Sequence, residues 1–101
     1  MLTPITWEEY GKRDYLPVAV VDIAVEVAAA YHRLQFDDEV DDLGEVVWCP
    51  VRLGSGVAVL LNRYAGSPNE ITVWGPDSLS PDQIAAEFGV GPDRVQRTIR
   101  P

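Results

Sequence analysis

The residues able to do chemistry in this chain are few. His32 is the sole histidine and Cys49 the sole cysteine, so any nucleophile–base pair must draw on one or both of them. Cys49 stands between Trp48 and Pro50 in a run that reads as a strand, where a buried, inert thiol is the usual outcome. His32 follows Tyr31 near the end of an expected helix, a place where a protonated imidazole favours the helix dipole. Ser55 sits in Leu-Gly-Ser-Gly-Val, which lacks the Gly-x-Ser-x-Gly nucleophile elbow and is accounted for by a hairpin turn. Neither a phosphate loop nor a dinucleotide fingerprint occurs. No catalytic, cofactor-binding or metal-binding residue is assigned, and the chain reads as non-enzymatic.

Charge is the stronger signal. The run Phe36 to Glu45 holds Asp37, Asp38, Glu39, Asp41, Asp42 and Glu45. As a calcium loop it fails, because Asp42 stands where the turn glycine belongs and Trp48 occupies the twelfth position, which needs a bidentate glutamate. As a recognition element it fares better, since clustered carboxylates steer and grip a basic partner. The bland reading is a solvated loop, and an exposed loop is what mutual repulsion predicts here. Net charge is -8 and the pI is near 4.4. Residues 1–50 carry eleven acids against three bases, whereas residues 51–101 carry five of each. This excess disfavours nucleic acid and anionic membranes and favours a basic protein.

A second pattern lies near the C-terminus, where Gln83-Ile84-Ala85-Ala86-Glu87-Phe88-Gly89-Val90 is followed after four residues by Val95-Gln96-Arg97-Thr98-Ile99. It resembles the helix-turn-helix signature of bacterial DNA-binding domains, with Ala85 as the small residue, Gly89 as the turn, and Val90 and Val95 as the apolar locks. The resemblance covers about the last fifth of the chain. It implies a second helix in the major groove, with Asp93, Arg94, Gln96 and Arg97 near DNA and Arg100 near phosphate. The competing reading is a pair of short helices capping a sheet through Ile84, Phe88, Val90, Val95 and Ile99.

The elements that must position these residues follow from periodicity. Thr6-Trp7-Glu8-Glu9 has capping-box spacing for a short helix. Pro17 suits the first position of a long helix over 17–35, with Val20, Ile23, Ala24, Val27, Tyr31 and Leu34 on its packed face. Val18 to Val21 reads as a strand in isolation, but the alanines at 28–30 favour helix. Val46 to Leu53 and Val57 to Tyr64 form a hairpin about Gly54-Ser55-Gly56, and Glu70 to Trp74 adds a third strand. Alternation turns Ile71 and Val73 inward and Trp74 outward, so Trp74 joins the carboxylates as a candidate partner contact. Ser80-Pro81 opens a helix that Gly89 stops, and Pro92 opens a last one to about Ile99.

The expected architecture is thus α+β in a single domain, residues 1–101: a three-stranded antiparallel meander, one long N-terminal helix packed on it, and two short C-terminal helices. So small a sheet leaves a face or edge that a homodimer or another partner would cover. A lone cysteine and an acidic N-terminus point to the cytoplasm. The most apolar stretch, Pro17 to Ala30, is too short and too charged to span a bilayer. Function is read as an acidic protein-binding module of the immunity-protein, antitoxin or inhibitor kind, with a DNA-binding regulator as the alternative.

Overall fold

The computed structural model describes residues 2–41 and 44–98. In chain order the elements are β1 (Thr3–Pro4), α1 (Trp7–Tyr10), β2 (Leu16–Val21), α2 (Val25–His32), β3 (Asp37–Asp41), β4 (Gly44–Arg52), β5 (Ala58–Tyr64), β6 (Ile71–Gly75), α3 (Pro81–Phe88), a 3-10 turn (Pro92–Arg94) and β7 (Val95–Arg97). The seven strands form one sheet in the order β1-β4-β5-β6-β2-β7, with β3 also paired to β4, and every pairing is antiparallel. Sheet, not helix, dominates the molecule. The three-stranded meander with one long N-terminal helix is therefore wrong: β4, β5 and β6 are the middle of a much wider sheet.

The largest correction concerns residues 17–35. The run Pro-Val-Ala-Val-Val is the interior strand β2, hydrogen-bonded to β6 on one side and β7 on the other. A continuous apolar run with β-branched residues suits a strand with neighbours on both sides, and here that outweighs the helix signal of the alanines downstream. Pro17 is tolerated because the register slips between Pro17 and Ala19, a bulge near the strand's beginning. Only Val25–His32 is helical, and Arg33 closes it in the left-handed region at φ 57°. Its buried side is Val25, Ala28 and His32, so Val27 and Tyr31, expected on the packed face, are instead 56% and 62% exposed.

The capping box expected at Thr6 is formed, and the cap expected at Ser80 is completed into a second one by Gln83. Thr6 and Glu9 satisfy each other's backbone N–H at the start of α1. Ser80 and Gln83 do the same at α3, with Pro81 in its first turn and Gly89 at φ 72° closing it. The hairpin between β4 and β5 turns at Gly56, φ 96°, where Gly56 N–H donates to the Leu53 carbonyl at 2.8 Å. Pro50 lies inside β4 without breaking it. Its carbonyl accepts from Ile5 on the outer edge, so its missing N–H falls in the gap between β3, whose first residue pairs with Trp48, and β1, whose last residue pairs with Val51.

α2 and α3 cover one face of the sheet. Val25, Ala28, Ile84, Ala85 and Phe88 share a core with Val21, Cys49, Val51, Leu61, Ile71 and Val73. The opposite face carries Trp48, Asn62, Thr72 and Trp74. There Asn62 is fully buried and accepts a 2.7 Å hydrogen bond from Trp74 Nε1, while the Trp48 and Trp74 rings lie 5.9 Å apart.

Candidate functional site

The acidic run is a strand and not the expected loop. β3 pairs with β4 through Asp37↔Trp48, Asp38↔Val47, Glu39↔Val46, Val40↔Glu45 and Asp41↔Gly44. On a strand, alternate side chains point to opposite faces and same-face neighbours stand about 7 Å apart. The carboxylates are therefore spread rather than crowded, and residues 37–40 are all exposed. Mutual repulsion, which argued for a loop, is relieved by the strand itself and by water. Asp42 lies outside the described residues.

Among the described residues β3 has only β4 beside it, so its other edge presents unpaired backbone groups. Asp37 accepts a 2.8 Å hydrogen bond from Trp7 Nε1, which ties α1 to the start of the strand. Asp38 and Glu39 have no ion-pair partner among the described residues. Val40 is 77% exposed beside them. Glu45, across the hairpin, is exposed as well. A charged strand edge of this kind resists indiscriminate pairing while remaining open to a strand of opposite charge.

Trp74 is not part of that cluster. It lies half-buried on β6, two strands away from β4, and Asn62 orients its indole. Ile71 and Val73 are buried on the other face, in line with the expected alternation.

The C-terminal residues are arranged differently from the helix-turn-helix pattern. α3 and the Gly89 turn form, but the second helix does not: Pro92–Arg94 make one 3-10 turn and Val95–Arg97 become strand β7 against β2. The Val95 side chain fills the core, and β2 supplies an open ladder that a β-branched segment satisfies better than a short helix would. Arg94 and Gln96 thus stand on the turn and on the strand. Arg97 also lies on the strand and donates to the Leu79 carbonyl at 3.0 Å. Arg100 and Ile99 lie outside the described residues.

His32 and Cys49 each have structural partners of their own. His32 is 5% exposed, and its Nε2 donates at 3.1 Å to the Phe88 carbonyl, one of the orphan acceptors at the end of α3. It fastens α2 to α3. Cys49 is buried, and burial pushes its thiol from the ordinary 9.0 up to about 11, with Asp37 adding to the rise. A thiol so raised is protonated and unreactive at neutral pH. Among the described residues no group of three or more His, Cys, Asp or Glu side chains is placed to hold a metal ion. Nor is any described helix long and apolar enough to cross a membrane.

One feature escaped the sequence. Between α2 and the α3–β7 connection runs a groove of about 520 Å³, lined in part by Ile23, Val27, Tyr31, Phe88 and Val90. Its trace was the Val27/Tyr31 pair at i, i+4 spacing, which a helix beginning at residue 17 assigned to the interior.

The chain matches no family model, no curated protein and no solved structure.

Proposed function

We propose that this protein is a non-enzymatic, cytoplasmic, acidic binding module whose β3 edge receives an extended basic segment of a partner protein, in the way immunity proteins, antitoxins and comparable inhibitors engage basic targets. The observation that carries this reading is the register of β3. It sets the exposed Asp37, Asp38 and Glu39 on an edge strand with free backbone groups and with carboxylates on both of its faces. Backbone pairing gives such an edge affinity, and alternating carboxylates give it a preference for lysine- or arginine-bearing strands. Net charge of -8 adds long-range attraction.

The test is capture from a lysate of the source organism at low salt, with and without nuclease. The triple variant Asp37→Asn, Asp38→Asn, Glu39→Gln is run alongside. The reading expects one basic protein, retained after nuclease, released by salt, and lost with the variant. Equal capture by the variant would refute it. Recovery of nucleic acid alone would favour the DNA-binding alternative, with Arg94 and Arg97 as its cations.

A further inference from the structure

We infer that a second docking site lies in the groove between α2 and the α3–β7 connection, and that it takes a partner segment presenting a basic side chain next to an apolar one. Its position is remote from β3. The groove opens beside β2 and β7, at the opposite end of the strand order from β3 and β4.

Two adjoining recesses define the chemistry. The larger is the apolar groove, whose wall is formed by Val27 and Tyr31 and whose base includes Phe88. Large apolar side chains exposed singly are ordinary, but these two stand one helical turn apart over a concave surface. The Tyr31 ring rests on Gly89, where an added Cβ would meet Tyr31 Cε1 at 3.5 Å. The ring also meets the buried His32 edge-on, with centroids 4.7 Å apart, which anchors the wall. A volume of about 520 Å³ falls within the roughly 300–1,000 Å³ of ligand clefts and accommodates one large apolar side chain with room beside it.

The smaller recess, about 200 Å³, shares Asp22 and Arg94 with the larger and adds Glu70 and Asp93. Arg94 faces Asp22 at 3.9 Å, a loose ion pair. Glu70 and Asp93 have no ion pair among the described residues. Three carboxylates against one guanidinium leave negative charge in excess immediately beside an apolar wall. The complement is a lysine or arginine adjoining a phenylalanine or leucine on one chain. A second copy of this protein fits less well, since like net charges of -8 oppose each other.

The experiment is an amide-resolved NMR titration of ¹⁵N-labelled protein with three end-blocked pentapeptides. The first carries arginine and phenylalanine two positions apart, the second has glutamate for the arginine, and the third has serine for the phenylalanine. The expected result is that the first shifts amides of residues 22–31 and 88–94, and that each control binds several-fold more weakly. Glu70→Gln with Asp93→Asn should weaken the first peptide up to about fivefold, the upper range for exposed charge pairs, while the remaining amides keep their positions. Shifts confined to 37–48, equal binding of the glutamate peptide, or no shifts at millimolar peptide would overturn the inference. Groove shifts that follow protein concentration alone would assign the site to a second copy and overturn it likewise.

Discussion

The β3 edge and the α2–α3 groove carry the same sign of charge in two different settings. At β3 Asp37, Asp38 and Glu39 stand in water on an exposed strand, with the apolar Val40 beside them. In the groove the carboxylates border an apolar wall supported by the core. Charge alone sets encounter rate and its salt dependence, whereas buried apolar area sets how long a complex lasts. The β3 edge is thus suited to capture and the groove to retention.

Substitutions can break that contrast in graded ways. The largest effect belongs beneath the groove: Phe88→Ala, at a site 2% exposed, should cost about 3–5 kcal/mol in denaturant unfolding and remove the groove's base together. Next, neutralising Asp37, Asp38 and Glu39 should slow association with a basic partner about tenfold at low salt and flatten its salt dependence, with unfolding free energy nearly unchanged. A loss of stability instead would mean that those carboxylates hold the fold together. Ser80→Ala should lower stability by about 1 kcal/mol through the lost cap of α3. Thr6→Ala should matter less, because α1 is four residues long and buries only Tyr10. Smallest of all is Tyr31→Ala, expected to change stability by less than about 0.5 kcal/mol at a residue 62% exposed while still weakening the arginine–phenylalanine peptide.

What could be read from residues alone follows the range of the interactions involved. The caps at Thr6 and Ser80, the turn at Gly56 and the stop at Gly89 are set by neighbours within a few positions, and spacing announces them. β2 is set from a distance. Its partners β6 and β7 lie some fifty to eighty residues away, and without them Val18 to Val21 merges into the helix that the alanines announce. A helix begun at residue 17 also rotates the face of α2, turning Val27 and Tyr31 inward and hiding the groove. β7 is hidden for a matching reason: Pro92 suggests a helix start, and only the vacant edge of β2 makes a strand of Val95–Arg97. The acidic run stands out in the sequence as the chemically distinctive segment, but its pairing with β4, which makes it an edge, is a register that charge does not encode.

Amide hydrogen exchange across β3, with and without the captured basic partner, tests the central claim most directly. If the partner adds a strand, outward-facing amides within residues 37–41 will exchange markedly more slowly in the complex, and the triple variant will lose that protection. Unchanged exchange at β3 in a saturated complex, with protection appearing elsewhere, would contradict it.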